Sequence, residues 1–529
     1  MEISDIDYQC LVKQIRGNIL DWYPFKEDDS ILEICKKESI NINQTNKKIQ
    51  HIDSIEQLNE INVNDKYDYI IFIENINKIE NYVSIIKNLL KENGKIIIIT
   101  NNALSIKRIC QKEDQSDLLN YNEIKNLLNN NGFGFFKFYY VLPDYETANV
   151  IFTDSLLPNE QTINRNITFY SQNNIIGNME NEIFKNMVSK NRTLFKLLVN
   201  SFFIEASLKD FDDNKISFVS FSNMRKEKFR IKTIIRGEKV YKTSSNKLAL
   251  GHIEQIKSNI DIIKKLGINT IDSYDEKGVI SLYQKENETV DKILINMIKK
   301  QKEQEAKELI FNYYEDLKEK LEIVNNDCSN VFNKYDIEYK TADIQNLKFV
   351  KYGLWDLIFQ NAFYIDKKIY FYDQEWIENN IPVEFVLYRA LKYCQELNKL
   401  INISELYTKL NITKSNIELF NELDNILQEN TRSKLSWRIN SNAINLDRLK
   451  DKYLFDINLL KNQNEQMNTD FVKLLNQKDA RIKLLEDTID STNKTLEETT
   501  NKLSIMENSK SWKITKPLRD LKNKKRRIK

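Results

Sequence analysis

Glycine and proline are scarce in this chain, with 10 and 5 among 529 residues, where average usage would give roughly 37 and 26. Any site that needs a glycine-rich loop must draw on those ten positions. Histidine is scarcer still: His51 and His252 are the two present, which excludes His-rich metal chemistry. The five cysteines (Cys10, Cys35, Cys110, Cys328, Cys394) are scattered, odd in number and without a CxxC pair. That pattern argues against a disulfide scaffold or a zinc site and fits a reducing cytosol. Purely apolar runs are short, such as Ile96–Ile99, and cannot span a bilayer. The opening MEISDIDYQC has neither the basic nor the apolar part of a signal peptide. A cytoplasmic protein is expected.

What is present is enough for packed cores: 41% of residues are hydrophobic and 29% charged, and the length suits two to four domains. Charge is uneven. Lys510 to Lys529 holds ten Lys or Arg against Asp520, so this tail carries +9 and the rest of the chain −7. A basic tail on a mildly acidic body points to a partner of its own. Pro24, Pro143, Pro158 and Pro382 punctuate the first three quarters, and the proline-free stretch from Val383 to Lys516 is permissive for long helices.

Two strand-rich regions precede that stretch. In the first, Ile31–Cys35, Lys48–Asp53, Tyr67–Glu74, Lys95–Thr100, Phe135–Leu142 and Asn149–Asp154 read as strands, with the helical Tyr82–Lys91 between the third and fourth. Near-continuous apolar strands alternating with helices predict an α/β domain with a parallel sheet covered on both faces. The second opens with Ile216–Phe221, Phe229–Ile235 and Lys239–Tyr241 and then turns helical, interrupted by the hairpin-like Ala362–Ile365 and Ile369–Tyr372. Strands first and helices later predict an α+β domain. Farther on, Leu475, Ile482, Ile489, Leu496 and Leu503 recur every seven residues, a coiled-coil seam with polar breaks that predicts a homo-oligomer.

SILEICKKES (30–39), KYDYIIFIENI (66–76) and LLKENGKIIIITNN (89–102) resemble the strand motifs of class I S-adenosylmethionine (SAM)-dependent methyltransferases. FYYVLPDYETANVIFTDSLLP (138–158) resembles a stretch in bacterial methyltransferase-like proteins of surface-polysaccharide synthesis. The resemblance implies a Rossmann-like fold, with Glu33 and Asp53 as the residues that would meet SAM, Asp53 at the ribose. The turn after the first strand, Cys35-Lys36-Lys37-Glu38-Ser39, lacks the family's glycines. There a backbone must approach the cofactor closely, so loss of SAM binding is expected.

The second region carries Lys242 in a strand, Glu254 on the following helix, Asp356 and Asn361 in WDLIFQN, and Asp373 in IYFYDQEW. Phosphoryl transfer needs a cation on the phosphates, an acid to fix it, a base and Mg²⁺ ligands. The stretch is similar to the protein-kinase-like fold of choline and aminoglycoside kinases. By that resemblance Asp356 is the catalytic base and Asn361, Asp373 and Glu375 hold Mg²⁺. Lys242 and Glu254 clamp ATP, with Ser222 and Asn223 in place of a glycine-rich loop. The tail's SKSWKITKPLR (509–519) resembles a motif that follows coiled coils in bacterial glycosyltransferases. Its Trp512, Ile514 and Leu518 amid cations suit an anionic membrane surface, whereas no distributed basic face speaks for nucleic acid.

The expected organisation is a degenerate methyltransferase-like domain (1–160), a helical connection (161–205), a kinase-like domain (206–425), a coiled coil (426–508) and a basic tail (509–529). This order is similar to the chain-terminating kinase–methyltransferases of bacterial O-antigens. It implies ATP- and Mg²⁺-dependent phosphotransfer to a sugar hydroxyl of a surface glycan, beside glycosyltransferases at the inner face of the plasma membrane. The alternatives are a non-catalytic scaffold for glycosyltransferases and an active SAM-dependent methyltransferase with an atypical cofactor loop.

Overall fold

The computed structural model describes residues 10, 12–35, 48–73, 76–111, 118–159, 174–211, 213–284, 287–324, 330–433 and 457–520. The turn at Lys36–Ser39 and the tail beyond residue 520 lie outside them. The chain divides into two compact units, Met1–Ala443 and Ile444–Lys529.

The first unit is organised by one sheet. Its strands are β1 (Ile31–Ile34), β2 (Ile49–Ile52), β3 (Tyr67–Ile73), β4 (Leu90–Asn101), β5 (Phe135–Leu142), β6 (Val150–Thr153), β7 (Ser201–Ser207), β8 (Ile216–Phe221), β9 (Ile231–Arg236), β10 (Lys239–Ser244), β11 (Asp272–Tyr274) and β12 (Val279–Leu282). Their order across the sheet is β2-β1-β3-β4-β7-β5-β6-β8-β9-β10-β12-β11. β2, β1, β3 and β4 pair in parallel, with the helix Val83–Leu89 crossing from β3 to β4. Every later pairing in the sheet is antiparallel.

The expected α/β domain is therefore present, but its sheet is mixed. Residues 201–205, read from the sequence as the end of a helical connection, belong to β7. This strand returns from far along the chain to lie between β4 and β5, hydrogen-bonded to both. Its sequence, SFFIEAS, is buried at every position, as an interior strand covered on both faces must be.

One face of the first region packs Leu32, Ile70, Phe72, Ile96, Ile98, Phe138, Tyr140 and Phe202 against the helices. The other packs Ile31, Ile71, Ile97, Ile99, Tyr139 and Phe203 against Ile19, Leu20, Trp22 and Tyr23. Trp22 lies 4.9 Å from the rings of both Tyr139 and Phe203. Within this aromatic layer Glu205 is buried, yet it accepts from Lys95 Nζ at 2.6 Å and Tyr23 Oη at 2.6 Å.

The second region begins with the antiparallel strands β8–β10. The helix Leu250–Lys265 packs Ile253, Ile256 and Ile260 onto Ile231 and Val279. A helical layer follows, with a core running from Ile263 to Leu427. The hairpin of β14 (Ala362–Ile365) and β15 (Lys368–Phe371) lies outside the large sheet, as does the short pair β13 (Phe349–Val350) and β16 (Ile381–Pro382). Scarce glycines fall where backbone meets backbone. A Cβ on Gly278 would stand 2.2 Å from the Lys242 carbonyl oxygen, and one on Gly353 2.6 Å from that of Glu378.

The second unit contains the 52-residue helix Ile457–Asn508. A short helix, Lys510–Ile514, follows, capped by the Ser509 side chain. No helix among the described residues is long and apolar enough to cross a membrane.

Candidate functional site

Strand order in the first region reverses at β1. β2 lies on one side of it, and β3 and β4 on the other. At such a switch point a crevice opens beyond the carboxyl ends of the parallel strands, where α/β sheets bind ligands.

Four polar side chains converge there. β1 and β2 pair with Glu33 opposite His51. Because strands alternate faces, Cys35 follows Glu33 and Asp53 follows His51 on that same face. His51 Nδ1 is 3.3 Å from Glu33 Oε2 and 3.9 Å from Cys35 Sγ. On the opposite side of the ring, Nε2 is 3.2 Å from Asp53 Oδ1. Burial is graded: Glu33 and Cys35 are inside, while the Asp53 side chain is 56% exposed. Burial raises the Glu33 carboxyl above its ordinary range, with His51 pulling it back. Its second oxygen, Oε1, is buried with no hydrogen-bond partner.

Of the two carboxylates expected to meet SAM, Asp53 stands open and Glu33 does not. Sequence reasoning passed over His51 and Cys35. The legible signal was an alternating Glu-x-Cys and His-x-Asp at the carboxyl ends of two adjacent parallel strands.

In the second region the predicted residues are brought together in part. Lys242, buried in β10, pairs with Asp373 and lies 3.5 Å from Glu375 Oε1. Glu254 is not its partner. Its helix buries His252, Ile253 and Ile256, which leaves Glu254 on the outer face, 68% exposed and 2.8 Å from Lys257.

Glu375 is buried. Burial pushes its carboxyl up, but Arg225, Lys242 and His252 together outweigh this and hold it below the usual range. Arg225 pairs with it directly, and His252 Nε2 is 3.3 Å away. His252 also stacks on Trp376 at 4.5 Å.

Asp356 faces Arg389, whose Nη2 is 3.2 Å from Oδ1. Burial nevertheless lifts this carboxyl to about 6. Arg389 lies 4.3 Å over the Trp355 ring and also pairs with the buried Asp424, which Lys392 reaches at 2.7 Å. Asn361 Nδ2 donates to the Asp356 carbonyl at 3.3 Å. The Asp373 amide donates at 2.8 Å to Asp272.

Ser222 and Asn223, expected at a phosphate, are engaged within the fold. The Ser222 hydroxyl accepts from the Ile231 amide at 2.8 Å. The Asn223 amide donates to the Ala148 carbonyl at 2.9 Å, tying the second region to the first. Arg225, Asp272, Arg389 and Asp424 were not foreseen, since single charges in a helix, strand or loop carry no sequence signature of burial.

No family model matches the chain, and no curated protein does. Among solved structures it is similar to a SAM-dependent methyltransferase from Archaeoglobus fulgidus, at 14% identity over 38% of this chain and 94% of the other, with a TM-score of 0.21. A second, from Geobacter sulfurreducens in complex with S-adenosyl-L-homocysteine, matches at 11% identity over 38% and 91%, with a TM-score of 0.18. PKMT2 from Rickettsia typhi matches at 10% identity over 82% and 98%, with a TM-score of 0.19.

The expectation of phosphotransfer with ATP and Mg²⁺ by a chain whose methyltransferase frame has lost SAM is corrected. The Lys242–Glu254 clamp it relies on is not formed, and the solved structures found similar include SAM-dependent methyltransferases. The first region is an α/β domain resembling the Rossmann-like fold of SAM-dependent methyltransferases.

Proposed function

We propose that the first region is the catalytic part of a SAM-dependent methyltransferase with an atypical cofactor loop. The observation that carries this reading is the reversal of strand order at β1, with Asp53 open at the end of β2 beside it. A half-exposed carboxylate there suits the two hydroxyls of a ribose, both of which it accepts from. Bound in this crevice, the cofactor supplies an electrophilic methyl group. Asp53 fixes its ribose end, and Glu33, inside, makes no such contact. The likeness of residues 138–158 and 509–519 to glycan-assembly proteins supports a sugar hydroxyl as acceptor and glycosyltransferases as neighbours. Calorimetric titration with S-adenosylhomocysteine tests the reading. Binding that weakens about tenfold or more in Asp53→Ala, a loss of at least about 1.4 kcal/mol, supports it. No heat from the folded wild-type chain overturns it.

A second reading concerns the C-terminal unit, which we propose pairs with a second copy. Leu475, Ile482, Ile489, Leu496 and Leu503 are each 43–63% exposed along the long helix. A heptad seam left open in this way is matched best by an identical seam. Light scattering of the full chain should give a dimer or higher oligomer that Ile489→Asp converts to monomer. A wild-type monomer would end this reading. The basic tail beyond it is proposed to meet an anionic lipid surface.

A further inference from the structure

The carboxyl ends of β1 and β2 hold a second chemistry besides the open carboxylate. Glu33, Cys35 and His51 each offer one ligand atom, and these atoms lie within 4.8 Å of one another. Among them the thiol and the carboxylate are buried and the imidazole is partly exposed. Glu33 is 5% exposed and one of its oxygens has no hydrogen-bond partner, a state that a buried acceptor avoids unless something else meets it.

The spacing fits a metal. Tetrahedral zinc, with bonds of about 2.0–2.1 Å to nitrogen or oxygen and about 2.3 Å to sulfur, sets its ligands about 3.3 Å (N···O) and 3.6 Å (N···S) apart. The corresponding separations here are 3.3 and 3.9 Å. Asp53 stands behind the imidazole, 3.2 Å from Nε2. A carboxylate there takes the N–H and turns Nδ1, with its lone pair, toward the cation.

We propose that Glu33, Cys35 and His51 bind a single thiophilic divalent cation, zinc being the type, with Asp53 orienting His51. A thiolate, an imidazole and a carboxylate prefer such an ion to magnesium or calcium. Their two negative charges neutralise it, so the buried group carries no net charge. Binding removes the Cys35 proton to buffer and forms the Sγ–metal bond. A Cys–His nucleophilic pair is the competing use of these residues, but Cys35 is 4% exposed and out of reach of a substrate. Glu33 and His51 lie opposite each other in β1 and β2, and Cys35 directly follows β1, its amide donating to the Ile52 carbonyl at 3.1 Å, so the strand register brings the three together. The inference stands apart from the methyl-donor reading, which uses none of the three ligands.

The test uses the full chain without a histidine tag, stripped with a chelator under a non-thiol reductant and titrated with CoCl₂ and ZnCl₂. Expected are one ion per chain, a thiolate-to-cobalt charge-transfer band, and displacement of cobalt by zinc. Cys35→Ser should abolish the band and weaken zinc at least 100-fold, while Cys394→Ser leaves both unchanged. Asp53→Asn should weaken binding about 10- to 100-fold, as a lost outer partner does. If Cys35→Ser fails to fold by circular dichroism, His51→Gln decides by the same loss of affinity. A folded wild-type chain that takes up no stoichiometric cobalt or zinc, or a band that survives in Cys35→Ser, overturns the proposal. Titrating S-adenosylhomocysteine into the metal-free and zinc-loaded chains separates the two readings, because metal uptake is expected whether or not that ligand binds.

Discussion

Two clusters of acids in the first unit, one in each region, are treated differently. Asp356, Glu375 and Asp424 are each met by a cation: Arg389 serves two of them, and Arg225, Lys242 and Lys392 complete the set. At the end of β1 and β2, Glu33 and Asp53 share a single imidazole, and one Glu33 oxygen has no hydrogen-bond partner. A network that neutralises itself staples strands to helices and asks for nothing more. A cluster with acceptors to spare is where a ligand belongs. The constellation that looked most catalytic in the sequence is thus the better satisfied of the two.

That contrast can be broken at its strongest point first. Arg389→Met would leave Asp424 with Lys392 and the Tyr393 hydroxyl and take from Asp356 the cation that pairs with it directly. Removing one partner from a buried pair costs about 3–5 kcal/mol, which a drop in the urea midpoint should register. A loss under about 1 kcal/mol would show that the pairing is incidental.

Next comes Asp356 itself. Its carboxyl sits at about 6 in the fold against about 3.9 in an unfolded chain, so the folded state holds a proton that the unfolded state releases. Stability from this group is full below about pH 4 and is lost as pH rises through about 6, by about 2–3 kcal/mol. Asp356→Asn should flatten that decline in midpoints measured from pH 4 to 7. Glu375, held down by its cations, has the opposite sign: its contribution is present above about pH 4.3 and fades in more acid solution.

Gly278→Ala probes the backbone that carries Lys242, since the new methyl would press on the Lys242 carbonyl. A cost of about 1–3 kcal/mol is expected in thermal or urea unfolding. The smallest effect should come from the other cluster. In metal-free protein Glu33→Gln replaces a carboxyl that burial already pushes toward its neutral form, and its stability should stay within about 1 kcal/mol of wild type. A loss as large as that at Arg389 would mean the two clusters are alike after all.

Much of the strand pattern was legible in the sequence. Phe135–Leu142, Ile216–Phe221 and Ala362–Ile365 end where the apolar runs predict, because turn residues and charges stop them sharply. The strand expected at Lys95–Thr100 instead starts at Leu90. Its polar first half, Lys91–Asn93, is largely exposed and offers no apolar signal.

What periodicity does not encode is partnership. Nothing in SFFIEAS says that it pairs between β4 and β5, and nothing in ISFVSF says that it extends the sheet from β6. The same holds for side chains. Lys242 was placed on the right kind of strand but given the wrong acid, because the turn of its helix points Glu254 outward. His51 and Cys35 were set aside because counting searches for ligands near one another in sequence, whereas here a parallel register aligns residues 18 apart, Glu33 and His51.

The position of β7 limits how this protein can be divided. A fragment ending anywhere between residues 160 and 200 would keep β4 and β5 but lose the strand that separates and joins them. Two raw edges would then face each other in the middle of the sheet. Unpaired edges of that length invite pairing between molecules, so such a fragment should aggregate, although every residue of the predicted cofactor site would still be in it.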